Sequence, residues 1–433
     1  VATSCVQSSL QGGKRELGVI SRLTRILLSV LICGYAVYLA IDLSKQIVHT
    51  QWDFKIYYHA AKAYYSGLDP YQTYNLNLVA ESEIKLPFAY PPASLHLFRG
   101  FNALDYPAAR RVWLYLKLAV LAALLVIWRR YFVPDGGLIL FIPFIILAFD
   151  AAVYFDLKAG NVSIFEQFLL WTAFLAFLRQ KPFVFFLLIV VASIFKLITI
   201  AFLLLLLVSE NRRQRWRWMA GAAAGVLLLF AINYMPDPHL FDGYLATIQN
   251  IDERAMNYNY AALPFFLDVC RELAAQKLIN LPGWAPYASY ATMVAVVLLV
   301  TARAMGWRKW REVAKDRRLL VFTTCVVFAL IAPRLKCYSL ILLLPPSYYI
   351  IRKNVGLRIF PFAFVLLILT VHRPLPQALT INHFSYYYPL FMVFMVWLIY
   401  MHYLSGLVKS AFRTEAPLGT AVPLPDTDSP SPS

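Results

Sequence analysis

The stretch 182–208, PFVFFLLIVVASIFKLITIAFLLLLLV, carries one charge, Lys196, near its middle. Just beyond it stand Arg212, Arg213, Arg215 and Arg217. If the stretch crossed a bilayer once, that cluster would emerge on the outer side. If it crosses twice, as a tight hairpin turning at Lys196, the four arginines return to the cytoplasm. The hairpin obeys the bias of Lys and Arg toward cytoplasmic loops. It also puts Lys196 at a polar turn instead of mid-membrane, where an isolated cation is costly.

Working outward, apolar segments of roughly the 20 residues a helical span needs lie near 24–43, 113–128, 138–154, 162–178, 218–234, 288–304, 319–333, 338–351, 357–371 and 386–407. With 182–208 counted twice, about twelve passes result. Lys14, Arg15, Arg22 and Arg25 flank the first span and hold the N-terminus inside. That span is long and lacks a small-residue cleavage site, so it reads as an anchor and not as a cleavable signal. On this topology 24 basic residues lie inside, 15 lie outside, and Lys117 falls within a span. Both termini are cytoplasmic.

Composition agrees. Of 433 residues 60% are hydrophobic and 15% charged, against about a quarter charged in soluble domains. Mean hydropathy is +0.61. A soluble enzyme, a disordered scaffold and a fibrous repeat are excluded. The net charge of +17 reads as loop charge fixing orientation, so no nucleic-acid partner is expected. Five cysteines show neither metal spacing nor a dense disulfide framework. The expected fold is all-α and polytopic. A cytoplasmic segment 1–23 precedes a membrane domain 24–408 with outer loops 44–112 and 235–287. The tail 409–433 is rich in Pro, Ser and Thr and reads as disordered. Its Asp426-Thr427-Asp428 resembles a metal-nucleotide triplet, but it lies in that tail, on the opposite face from the other polar groups.

The informative polar residues gather on the outer side. Phe54, Tyr57, Tyr58, Ala61 and Tyr65 recur at helical spacing after Trp52-Asp53. They predict an amphipathic helix on the outer membrane surface, stopped by Gly67 and Pro70. Asp53 at its start reads either as a helix cap or as an ionisable carboxylate beside rings that can stack on a sugar. Gly67-Leu68-Asp69-Pro70-Tyr71 and Phe88-Ala89-Tyr90-Pro91-Pro92 read as rigid turns. Three short outer turns offer cations: Lys158 with Asn161, Lys196, and Arg334 with Lys336. Each alone reads as a snorkelling side chain. Together with the acid they suit an anionic headgroup held beside a bundle. Asn161-Val162-Ser163 fits a glycosylation sequon but lies too close to a span. The chain has no P-loop, no dinucleotide glycine pattern and no fixed repeat.

Asp53-Phe54-x-x-Tyr57-Tyr58-x-Ala60-Ala61, then Gly67-x-Asp69-Pro70-Tyr71, then Tyr90-Pro91-Pro92, resembles glycosyltransferase family 87. The resemblance continues through Gly160-Asn161, Lys181-Pro182, Phe195-Lys196-Leu197-Ile198 and Pro333 to Tyr338, across most of 25–350. It implies a GT-C-type membrane enzyme, similar to mycobacterial mannosyltransferases. Such enzymes take a hexose, mannose above all, from a polyprenyl-phosphate-sugar donor and extend a glycolipid or cell-envelope glycan on the extracytoplasmic face. It implies Asp53 as catalytic base. Tyr57, Tyr58, Lys158, Asn161, Lys196, Arg334 and Lys336 become candidate substrate-binding residues. The chain departs from the family where many members read Gly-Gln-x-Asn, and where the mannosyltransferase branch carries His after the late proline. The chemistry expected is a single inverting displacement, with cations stabilising the departing phosphate and no obligatory metal or other cofactor. A bacterial cell membrane is the expected setting, which Val1 read as a GTG start also favours. The rival reading is a transporter or lipid flippase, for which repeat symmetry and midplane charges are expected.

Overall fold

The computed structural model describes residues 50–134, 138–208, 212–251, 259–278, 281–306, 316–353, 360–368 and 386–414, with scattered helical positions between 26 and 45. The first expected span, the Asp426-Thr427-Asp428 triplet and the rest of the tail after Thr414 lie wholly or largely outside the described residues. The chain's regular elements among them are all helices. Its helices are α1 (Trp52–Tyr65), α2 (Thr73–Ala80), α3 (Ala93–Phe98), α4 (Tyr106–Ile127), α5 (Leu138–Ala159), α6 (Ser163–Leu178), α7 (Pro182–Phe195), α8 (Arg212–Tyr234), α9 (Pro238–Asn250), α10 (Ala262–Ala275), α11 (Ala285–Met305), α12 (Arg317–Ile331), α13 (Leu344–Lys353), α14 (Phe360–Ile368) and α15 (Tyr388–Thr414). Three 3-10 stretches, Arg99–Ala103, Leu197–Val208 and Cys337–Leu343, and a π-helical turn at Trp128–Phe132 complete the framework.

Five helical stretches among the described residues are long and apolar enough to cross a bilayer: Tyr106–Phe132, Leu140–Ala159, Arg213–Tyr234, Ala285–Met305 and Tyr388–Gly406. Ser163–Leu178, Pro182–Phe195 and Leu197–Leu207 are apolar but shorter. The protein is therefore a multi-pass membrane protein. Its starts follow ordinary rules. Asp105, Asp237 and Asp316 each accept a backbone N–H at the head of α4, α9 and α12.

The decisive stretch breaks where its lone charge stands. α7 ends at Phe195, and Lys196 is extended at φ −143° and ψ 107°. The 3-10 arm Leu197–Val208 then packs back against α7. At about 1.5 Å per α-helical residue and 2.0 Å per 3-10 residue, the 14-residue and 12-residue arms reach roughly 21 and 24 Å. The tighter winding makes the shorter arm as long as its partner.

Two apolar cores result. The larger fills the bundle around Trp128, Trp171, Phe322, Tyr348 and Tyr400. The smaller is an aromatic cluster of Phe54, Tyr57, Phe88, Phe98, Trp113 and Tyr244. α1 forms at its expected position and ends before Gly67, which takes φ +79°. It does not lie on a surface with one apolar face. Residues 56–61 are all buried, a run longer than one 3.6-residue turn. α2, α3, α4 and α5 pack around it, so the aromatic residues beyond the expected stripe have partners too.

Candidate functional site

Asp53 lies in the first turn of α1, but it does not cap it. Gln51 holds the cap position, in a left-handed conformation and with no side-chain cap bond. The Asp53 carboxylate instead accepts from the Asn161 amide, Nδ2 to Oδ2, at 2.7 Å. Asn161 stands in the turn after α5. Its Oδ1 accepts from the backbone N–H of Ser163 at 3.1 Å and from the Ser163 hydroxyl at 2.8 Å. That fixes the amide, so its nitrogen faces the carboxylate. The same nitrogen reaches the Tyr57 and Tyr90 hydroxyls at 3.0 and 3.1 Å. Tyr57 donates to Tyr90 at 2.8 Å. Asn161 is buried with its amide engaged, which removes it as a glycosylation acceptor.

The turn reaches α1 through Gly160. This residue has φ +70°, and a Cβ there would stand 3.0 Å from both Gln51 Cβ and Phe54 Cβ. Gln51 N–H donates to the Lys158 carbonyl at 2.8 Å. Glycine is required because the two backbones approach too closely for a side chain.

A second polar group lies at the hairpin tip. Lys196 Nζ donates to Glu166 Oε2 at 2.5 Å, to Ser163 Oγ at 2.7 Å and to Ser339 Oγ at 3.2 Å. All three ammonium protons thus have acceptors. Ser163 joins the two groups, since it donates to Asn161 and accepts from Lys196.

Both groups open onto a cavity of about 910 Å³. Asp53, Tyr57, Asn161, Lys196, Arg334 and Lys336 all line it, six of the eight residues expected at a site. Tyr58 and Lys158 do not line it. Tyr58 is the next residue round the helix from Tyr57, and its hydroxyl donates to the Leu104 carbonyl at 2.8 Å. Lys158 turns back one helical turn, its Nζ 5.9 Å from the Tyr154 ring centre. Asp69 lines the cavity, but its Oδ1 accepts from Tyr71 N–H at 2.9 Å, the turn-closing role expected of it. The other wall is apolar: Leu170, Phe195, Leu197, Ile198, Phe328 and Leu342. Lys336 is positioned by an antiparallel bridge to Asn259, with Tyr260 N–H donating to the Leu335 carbonyl at 2.9 Å.

Sequence reasoning missed Tyr90, Glu166 and Gln167 as lining residues. Tyr90 was visible only as part of a proline turn. Glu166 carried a signal, an acid in the first turn of an apolar helix just after Asn161.

Burial drives the Asp53 pKa up to about 6 from its usual 3.8. The Asn161 hydrogen bond and the Lys117 charge work in the other direction. Burial also raises the Tyr57 and Tyr90 phenols, so both stay protonated at neutral pH. A carboxylate that titrates near neutrality, held at the edge of a mixed polar and apolar cavity, is equipped to take a proton.

The family model of glycosyltransferase family 87 matches residues 88–333, more than half of the chain. The matched stretch includes Tyr90, Asn161, Glu166 and Lys196, while Asp53, Arg334 and Lys336 flank it. No curated protein and no solved structure matches the chain.

Proposed function

The chain belongs to glycosyltransferase family 87 and is a membrane glycosyltransferase; on that premise we propose that it transfers a hexose, mannose by preference, from a polyprenyl-phosphate-sugar to a glycolipid or cell-envelope glycan on the extracytoplasmic face. One observation carries the reading. A buried carboxylate with a pKa of about 6 shares a cavity with Lys196, Arg334 and Lys336. The apolar wall suits the first isoprene units of the donor. In this reading the acceptor hydroxyl attacks the anomeric carbon while Asp53 takes its proton. The bond from that carbon to the phosphate oxygen breaks, and polyprenyl phosphate leaves with a second negative charge. Arg334 and Lys336 meet that charge, with Lys196 behind them. One displacement inverts the anomeric centre. These cations do the work a metal would otherwise do, so no metal is needed. The topology that goes with it has about twelve passes, both termini cytoplasmic and the cavity outside.

Asp53→Asn tests it. The amide keeps the size but cannot accept the proton, so transfer of labelled sugar from polyprenyl-phosphate-mannose should fall roughly 10²–10⁴-fold. The base works ionised, so wild-type activity should fall away as pH drops through about 6. The stability sign runs the other way. A raised carboxylate pKa means that the fold penalises the ionised form, with no penalty below the usual 3.8 and the full penalty above about 6. Asp53→Asn should therefore match or exceed wild-type thermal stability at pH 8. Undiminished transfer by the folded variant would remove Asp53 as base.

A further inference from the structure

The mechanism above leaves one buried charged pair without a role. Lys117, inside α4, is fully buried and pairs with the equally buried Asp156 at 2.7 Å. Its ammonium also donates to two backbone carbonyls, Asp156 at 2.6 Å and Asn161 at 2.7 Å. These bracket the turn that presents Asn161 to Asp53. One helical turn earlier on the same face of α4, Trp113 Nε1 donates to the carbonyl of Gly160 at 2.9 Å. Two side chains of one helix thus hold two consecutive carbonyls, 160 and 161. A bundle needing only apolar filling there would place a leucine at 117. Burying a lysine is costly unless it is paired and hydrogen-bonded, and here the polar contacts of Lys117 go to Asp156, at the last turn of α5, and to Asn161 just beyond it.

We propose that Lys117 is a positioning residue for the base: by holding the carbonyls of Asp156 and Asn161 it fixes the turn so that the Asn161 amide meets the Asp53 carboxylate. Its positive charge works beside that contact, against the burial that disfavours ionised Asp53. The inference rests on Asp53 being that base. Lys117 does not line the cavity, so it acts through Asn161 and through its field. The other ionisable groups around Asp53 are Asp156 from α5, Glu166 from α6, the phenols Tyr57 and Tyr90, and Lys336, Cys337 and Tyr338 after α12. Asp156 opposes Lys117, and Lys336 assists it.

The experiment is the pH profile of sugar transfer by Lys117→Gln, with kcat and the donor KM measured separately. Without the cation, the acid limb should move to higher pH by about half a unit or more, in the direction a lost neighbouring positive charge dictates. kcat should fall roughly 10–100-fold, the scale of a misplacement of about 1 Å, with donor KM within about twofold of wild type. Lys117→Gln leaves Asp156 buried and unpaired, so Lys117→Gln/Asp156→Asn is made beside it to keep a neutral hydrogen-bonding pair. Its acid limb should move the same way by less, because the opposing charge has gone too. A folded protein of either type with wild-type kcat and an unmoved acid limb overturns the proposal. So does a variant whose only loss is in donor KM or in melting temperature, which marks Lys117 as mere scaffolding. Asp53→Asn is run in parallel. If it retains transfer, the assignment of the base fails. If it loses transfer while the Lys117 variants keep the wild-type profile, only the inference about Lys117 fails.

Discussion

The Asn161 amide donates to the Asp53 carboxylate at 2.7 Å across 108 residues of sequence. This bond joins the first turn of α1 to the turn after α5 and fixes the side-chain partners of Asn161. Its oxygen is occupied by Ser163, so its nitrogen can only serve the acid and the two phenols beside it.

Asn161→Ala should therefore damage chemistry more than binding. A hydrogen bond to a charged group is worth about 1.5–3 kcal/mol, or roughly one to two decades in rate at 1.4 kcal/mol per decade. That bond also lowers the Asp53 pKa, so its loss should move the acid limb of the pH profile upward. Steady-state kinetics across pH 5 to 8 check both effects. Wild-type kcat in the variant would show the bond to be incidental.

Gly160 is held by space as well as by φ. A methyl group there meets Gln51 and Phe54 at 3.0 Å and must adopt φ +70°. Gly160→Ala should cost about 1–3 kcal/mol, the range for a non-glycine residue in a left-handed position, before any clash is counted. A lower unfolding temperature in detergent, with a matching drop in kcat, is expected. An unchanged melting curve would show that the 156–161 turn yields freely.

Much of this was legible in the sequence, for identifiable reasons. The break at Lys196 followed from one charge in an apolar run and four arginines beyond it. α1 and its stop at Gly67 followed from helical spacing and a glycine. Asp53, Tyr57 and Asn161 could be marked because polar groups beside apolar spans need partners. Their meeting could not be read, since residues 53, 90 and 161 lie on separate elements. The full enclosure of α1 was hidden because spacing shows one stripe, while the covering aromatics are Tyr90, Phe98, Phe101, Tyr106 and Trp113. Lys117 read as a stray charge in a span, because its counter-ion Asp156 lies 39 residues away. Glu166 was passed over because a carboxylate at a span's edge looks solvated until its partner, Lys196, folds onto it.

Topology gives a direct check. If 182–208 forms a hairpin that returns Arg212–Arg217 to the cytoplasm, single cysteines at positions 214 and 250 lie on opposite faces. In a background without the native cysteines, an impermeant maleimide added to intact cells should label position 250 and spare 214 until the membrane is opened. Labelling of position 214 from outside would replace the hairpin by a single pass and turn the site's elements against one another.

Lys196 and Glu166 decide between a phosphate ligand and a structural pair. The carboxylate is 4% exposed, and its one salt bridge among the described residues is to Lys196. Lys196→Met alone should lower folded yield, because breaking a buried pair by removing one partner costs about 3–5 kcal/mol. Glu166→Gln combined with Lys196→Met removes both charges and should restore folding. The kinetics of that double variant then separate the roles. If Lys196 assists the departing phosphate, the restored protein still transfers sugar one to two decades more slowly, or needs more donor, since one charge-assisted contact is missing. If Lys196 serves only Glu166, the double variant works at the wild-type rate. Glu166→Gln alone adds a third reading. It keeps the cation and loosens its grip on the carboxylate, so a phosphate role for Lys196 predicts an unchanged or lower donor KM. A raised KM in that variant would instead mean that Glu166 itself touches the substrate.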